Sequence, residues 1–361
     1  MKFNTKFSVA IQTVVALVMV AALAAACGGG STASPTAGFS QAYTSSAGVG
    51  EVLQFSVDTV NMVYTYKVAG TSYAASGVAV GQSGSGALLS KNAGGTYNVG
   101  PSNDGFILAG KVLPIQNGLL LGHVEISLFG ASFKVPVFGV SNPITSVAAL
   151  ADTYNFQGFG CSALGIANVL GNAACVSHMG TVTVAASGTY AVYRGCDVNG
   201  LACAATASGV LSALPAYPGV FDYRTAAGHV GWFFAFTAPN GQKIAVIDHD
   251  DTLSVPHVFG HTVLASYASS VSGAADGQYF VKNNEGGESL LTISGASLTD
   301  ISLLGTANGT LTLNSPWPGM EAYQFASGAV SGVSMAAGAG VYTYRDNSDP
   351  GLFGVAIRYA P

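Results

Sequence analysis

The chain has 361 residues and a formal net charge of −5, yet only 8% of its residues are charged and 48 are glycine. Globular chains usually carry about 25% charged residues and about 7% glycine, so Ser, Thr, Asn and Gly must form most of the wet surface here. A hydrophobic content of 49% excludes a disordered chain, and the absence of any basic run argues against nucleic acid as a partner.

The first element is a basic start (Lys2, Lys6) and an apolar run from Val9 to Leu23, followed by Ala24-Ala25-Ala26-Cys27-Gly28-Gly29-Gly30-Ser31. The run is too short to be kept as a spanning helix. This order of segments resembles a bacterial lipoprotein signal, with Leu23 one place further from the cysteine than the usual leucine. The resemblance implies that residues 1–26 are removed and that Cys27 is acylated, for example with palmitate, and held at a membrane. Gly28, in the place where Asp would retain an inner-membrane lipoprotein, implies the outer membrane. An ordinary secretory signal cut after Ala24-x-Ala26 is the alternative. Cysteine arithmetic favours acylation: of 5 cysteines, Cys27 is the odd one, leaving Cys161, Cys175, Cys196 and Cys203 as an even set for an oxidising compartment. The uncharged Gly/Ser/Thr/Pro stretch that completes residues 27–50 reads as a flexible tether.

Beyond it, period-two alternation dominates. Strands are expected at Glu51–Val57, Met62–Val68, Gly118–Leu128, Phe133–Val140, Thr181–Ala185, Val230–Phe236, Gln242–Ile247, Ser289–Ser294, Gly309–Leu313 and Leu352–Tyr359. Turn dipeptides punctuate them at Asn117-Gly118, Asn199-Gly200, Asn240-Gly241 and Asn308-Gly309. Only Ile144–Leu150 and Leu164–Leu170 hint at a helical period. A phrase recurs around Tyr97, Tyr154, Tyr190 and Tyr279, each expected to open a strand with the apolar residue two places on sharing its face. The unequal spacings do not make a solenoid. The Asn142-Pro143 turn and the small-residue segment Ser269–Ala275 suggest β units over 51–145, 146–268 and 269–361. The expected fold is all-β, built of antiparallel sandwich- or barrel-like units, with a single β-propeller as the alternative.

Cys196 and Cys203 flank an Asn-Gly turn and suit a hairpin disulfide, and Cys161–Cys175 would form the second bridge. A four-cysteine metal site is the rival, but neither pair has the close spacing that zinc favours. Asp248-His249-Asp250-Asp251-Thr252 follows the apolar Ile244–Ile247 and resembles the first motif of haloacid-dehalogenase-type phosphatases. The resemblance implies Asp248 as nucleophile and Asp250 as acid/base beside Mg²⁺, on a parallel sheet with helices. Asp251 replaces the small residue usual there, and Lys282 is the only lysine that follows. The plain alternative is a polar turn closing a hairpin.

His249, His257 and His261 lie close enough to those acids for a His/Asp site holding a divalent metal, the one cofactor considered. Trp232, Phe234 and Phe236 share a face and read as core. Trp317, between two prolines, is the exposed aromatic expected to contact a ligand. Gly81–Gly86 reads as a loop. The function expected is that of an anchored, non-catalytic module binding an envelope protein or glycan, or serving envelope structure. The alternative is a metal-dependent, phosphatase- or esterase-like hydrolase centred on Asp248, Asp250 and the three histidines.

Overall fold

Alternating strands can end as an open sheet with unpaired edges or close on themselves and have none. In the computed structural model of the chain they close three times. Residues 38–48, 50–71, 78–128, 131–163, 175–197, 203–251, 257–302, 305–326, 330–337 and 340–360 are described. Cys27 and the signal, Leu164–Leu170 and the Asn199-Gly200 turn lie outside them.

The first barrel is an antiparallel meander of β1 (Ser40–Ser46), β2 (Glu51–Asp58), β3 (Val63–Thr71), β4 (Ser83–Lys91), β5 (Tyr97–Ser102), β6 (Ile107–Pro114), β7 (Leu119–Leu128) and β8 (Ala131–Val140), closed by β1 against β8. The second comprises β9 (Asp152–Ala163), β10 (Cys175–Val184), β11 (Thr189–Arg194), β12 (Ala207–Ala213), β13 (Phe221–Thr225), β14 (Gly228–Thr237), β15 (Lys243–Asp251) and β16 (His257–Ser266), with β16 returning to β9. The third runs through β17 (Gly277–Asn283), β18 (Glu288–Ser294), β19 (Ser297–Ser302), β20 (Gly305–Leu313), β21 (Met320–Phe325), β22 (Ser331–Ala336), β23 (Val341–Asp346) and β24 (Phe353–Ala360), with β17 paired to β24.

The all-β, antiparallel, barrel-like expectation therefore holds. The propeller does not, because each sheet returns to its own first strand instead of standing as a blade. Several local readings also change. Ser40–Ser46 is a barrel strand, although it falls within the stretch expected to be tether. The segment around Ile144–Leu150 forms only a 3₁₀ turn, Val147–Leu150. Ser83–Gly86 lies inside β4, where a loop was expected, and Asn308-Gly309 lies inside β20, where a turn was expected.

Tyrosine rings lie across several of the strand glycines. Inside the barrels Tyr64 pairs across strands with Gly86, Tyr66 with Gly84, Tyr190 with Gly209, Tyr323 with Gly332 and Tyr344 with Gly354. A Cβ at Gly86 would stand 2.6 Å from the Tyr64 hydroxyl, and one at Gly354 would stand 2.1 Å from the Tyr344 ring. The ring covers the bare backbone, and no other residue leaves room for it. The recurrent tyrosine phrase opens β5, β9, β11 and β17. Tyr154 and Tyr279, on the first strands of the second and third barrels, each donate a 2.6 Å hydrogen bond to the carbonyl four residues earlier, Leu150 and Ala275.

The outer walls are apolar where the barrels meet. Leu121 and Phe138 of the first, Phe234, Phe236 and Val263 of the second, and Met335, Phe353 and Val355 of the third belong to one shared core cluster. Phe233 and Ala235 point into the second barrel, so β14 is buried on both faces and reads as an unbroken apolar run. Trp317 also belongs to the shared core. It is only 8% exposed, and its Nε1 donates to Asn155 Oδ1 at 2.9 Å, while Asn155 Nδ2 donates to the Pro318 carbonyl at 2.9 Å. The expected exposed contact residue is thus a bolt between the second and third barrels. Gln157 adds a second tie, donating to the Val333 carbonyl at 2.9 Å and accepting from the Thr343 hydroxyl at 2.7 Å.

Both disulfides are present. Cys161 and Cys175 are cross-strand partners on β9 and β10, with Cα atoms 4.0 Å apart. Cys196–Cys203 bridges the β11–β12 connection with a Cα separation of 6.0 Å.

Candidate functional site

The Asp248–Asp251 segment continues strand β15 and does not form the turn read from its polarity. Alternation then divides it. Ile247 faces into the second barrel and Val246 into the shared core, so Asp248 and Asp250 face outward and His249 inward. Both aspartates are fully buried against the first barrel. The Gly50 N–H donates to Asp248 Oδ1 at 3.3 Å, and the buried carboxyl of Glu51 on β2 faces the same two acids. Burial raises the pKa of Glu51 well above its usual value, and Asp248 and Asp250 raise it further. Asp248 is raised by burial and then by Asp250. His229 reaches these acids from β14, and Arg224 pairs with the same Asp222 at 3.1 Å. Burial opposes a charge on the His229 ring, but hydrogen bonds to Asp250 (3.4 Å) and Asp222 (2.6 Å) outweigh it and raise the pKa. The ring also packs on Trp232, with centroids 4.3 Å apart. This seam stores protons on buried carboxyls, because adjacent acids in a dry site cannot all ionise.

The sequence-predicted histidines divide between the two faces of this wall: His261 is the cross-strand partner of Asp248 on the outer face, whereas His249 faces inward. Inside the second barrel, His178 Nε2 and His249 Nε2 each lie 2.8 Å from the Thr262 hydroxyl. That hydroxyl can donate to only one ring and must accept from the other, so the pair is complementary when both rings are neutral. Burial, and then His249, keeps the His178 pKa well below its usual value. His261 lies on the outer face, edge-on to Phe159 and Phe353 at 4.9 and 5.6 Å. Burial pushes its pKa down to about 3. His249 and His261 thus occupy opposite faces of one wall, and His257 begins β16 with its side chain outside the described residues. Among the described residues no group of three or more His, Cys, Asp or Glu is arranged to hold a metal ion. The phosphatase resemblance also lacks its scaffold, since β15 pairs antiparallel with both neighbours.

The first barrel's seam with the third has the opposite sign. Lys111 and Lys282 donate to Glu288 at 2.8 and 3.1 Å. Burial opposes the Glu288 charge, but the lysines outweigh it and hold its pKa near 2. His123 alongside is pushed down to about 3 by burial and by Lys282.

Several cavities among the described residues offer room for a ligand. A cleft of about 660 Å³ opens where the three barrels meet, between Asn117 of the first, Gln242 of the second and Tyr279, Glu321 and Arg358 of the third. A second, of about 430 Å³, lies on the second barrel beside Asp152, Thr183 and Tyr190. A third is a cup of about 220 Å³ inside the third barrel. Val281, Leu291 and Leu298 form its apolar part, Tyr323, Phe325, Tyr342 and Tyr344 its aromatic wall, and Asp300 and Asp346 supply the carboxylates. The third strands of the barrels differ. In the first barrel that strand points Tyr64 and Tyr66 inward, and in the second Tyr190, whereas β19 points Leu298 and Asp300 inward.

The carboxylates differ in the same way. Asp104 of the first barrel accepts from the Tyr66 hydroxyl, from Gln82 Nε2 at 3.2 Å, from Ser102 Oγ at 2.6 Å and from the Phe106 N–H at 3.4 Å. Asp300 accepts from the Ser289 hydroxyl at 3.0 Å, and Asp346 from the Ser348 N–H and hydroxyl at 2.7 and 2.6 Å. Sequence reasoning missed this cup because its tyrosines and leucines read as ordinary core. The available signal was alternation that sets Asp300 on the face of Leu298, and Asp346 on the face of Tyr342 and Tyr344. A carboxylate on an inward face needs a partner or a purpose.

No protein-family model matches the chain, and no curated protein matches it either.

Proposed function

We propose that this chain is an exported lipoprotein, anchored through acylated Cys27 at the outer membrane, that acts without catalysis by holding a small ligand in the cup of its third barrel. One observation carries the binding reading: the third barrel keeps an open cavity of about 220 Å³, where the first barrel fills the corresponding space with Tyr64, Tyr66 and Phe106. Eight-stranded barrels hold either packed side chains or one small ligand. A cavity of this size suits a small molecule better than a glycan chain or an envelope protein. The anchoring reading rests on the basic, apolar and small-residue order ahead of Cys27, and on the pairing of the remaining four cysteines in two disulfides.

Metabolic acyl labelling should mark the protein, and Cys27→Ala should release it from the membrane fraction. Unchanged membrane association of that variant would refute the anchor. A thermal-shift screen of small molecules on the full-length protein should give stabilising hits that vanish in Leu298→Trp, whose ring would fill the cup. An empty screen, or hits that survive that substitution, would sink the binding reading.

A further inference from the structure

Resting on the cup as a ligand site, the geometry points to its ligand class: a small organic ammonium ion with a compact apolar body. Three features of the cup converge on this chemistry.

The first is the shape of the aromatic wall. Tyr323 meets Phe325 edge-on, with centroids 5.9 Å apart and planes at 71°, and meets Tyr344 at 6.4 Å and 84°. Rings at near right angles form an aromatic corner lining the cup, and aromatic faces attract alkylated cations. The second is charge. Asp300 and Asp346 line the cup, and together with Glu285 they act on Tyr344. No Lys, Arg or His is among the described lining residues, so the charges that line the cup itself are acidic and match a cation better than an anion.

The third is the shortage of free donors. The Tyr323 hydroxyl donates to the Arg345 carbonyl at 3.0 Å, and the Tyr342 hydroxyl donates to Ser334 Oγ. Of the three tyrosine hydroxyls in the wall, only that of Tyr344 is left to donate, so a sugar or carboxylate finds few donors, whereas an ammonium group needs acceptors and ring faces. The apolar residues Val281, Leu291 and Leu298 then cover the ligand's hydrocarbon part. The volume of about 220 Å³ limits that part to a few carbons and excludes a lipid chain.

The test is isothermal titration of the full-length protein with choline and with 3,3-dimethylbutan-1-ol, the uncharged molecule of the same shape. Choline should bind at least about tenfold more tightly than the neutral analogue. The double change Asp300→Asn and Asp346→Asn should remove most of that preference while leaving the neutral analogue's affinity unchanged. Tyr344→Leu should weaken choline more than the analogue, and circular dichroism would confirm that each variant keeps its sheet content. Equal affinity for the two probes would overturn the cation inference and leave the cup as a plain apolar site. Choline binding that persists in Leu298→Trp would place the ligand elsewhere and overturn both readings. No binding of choline, tetramethylammonium or butylammonium would overturn the ammonium class, while the thermal-shift screen still decides whether the cup binds anything.

Discussion

The first and third barrels share one meander, one strand count and one way of laying tyrosine over glycine, yet one is solid and the other hollow. In the first, Phe55 and Tyr64 stack with centroids 5.4 Å apart, Tyr66 packs on Phe106 at 5.5 Å, and Asp104 is satisfied by the side chains around it. In the third, a leucine and an aspartate stand on the third strand in place of the two tyrosines, and the interior keeps a cup. The strands set the diameter, and the inward side chains decide whether it is filled. A barrel can therefore change from structural core to receptor without altering its hydrogen-bonded frame.

Truncating the same residue type in the two interiors gives the largest expected contrast. Tyr64→Ala should cost about 3–5 kcal/mol in urea unfolding, because it empties a sealed core. Tyr344→Ala, on the wall of an existing opening, should cost less than about 2 kcal/mol, since solvent can occupy the space. Equal losses would mean that the cup is as tightly packed as the first barrel.

The second barrel provides the next contrast, because only it is stapled. Reduction should remove roughly 2–3 kcal/mol for each of Cys161–Cys175 and Cys196–Cys203 in the loop-entropy account. New proteolytic cleavage should then concentrate between Asp152 and Ser266, sparing the cysteine-free barrels on either side. Identical digests with and without reductant would break that distinction.

A smaller effect separates the two seams of the first barrel. Glu51 and Asp248 have folded pKa values raised by burial and by neighbouring acids. Folding therefore holds protons that the unfolded chain releases, so their contribution is fully present below the ordinary carboxylate range and falls as pH rises through the raised values. Glu288 works the other way. With its pKa held near 2, its contribution is present at neutral pH and is lost only as pH falls from the ordinary range toward 2. Glu51→Gln should thus stabilise at pH 8 by about 1 kcal/mol or more and change little at pH 4. Glu288→Gln should destabilise at neutral pH and change little near pH 2. Parallel pH profiles for both variants would show that the seams do not differ in proton storage.

Legibility followed chemical contrast along the chain. Strands with β-branched or aromatic alternation, such as Glu51–Asp58 and Gly228–Thr237, stood out, whereas β4, β12 and the first half of β20 were hidden by Gly, Ser and Ala that carry little hydrophobic signal. Trp317 misled because proline on both sides suggests an exposed turn, and nothing local reveals that Asn155, far away in sequence, waits for its indole N–H. The Asp248 cluster was visible as composition but not as geometry. Alternation alone could have set His249 and Asp248 on opposite faces, had the segment been read as strand.

By itself the sequence determined the all-β class, the antiparallel hairpins and the cysteine pairs, because period-two patterning and short Asn-Gly turns are local physics. It also placed Tyr154 and Tyr279 at strand openings. Tertiary structure alone decided that the sheets close into three barrels, that the outer faces of Phe138, Phe234 and Phe353 make one shared core, and that the third barrel stays hollow. Closure depends on pairing first and last strands about a hundred residues apart, and hollowness depends on the sum of side-chain volumes meeting inside a wall. Neither quantity is written in any one segment.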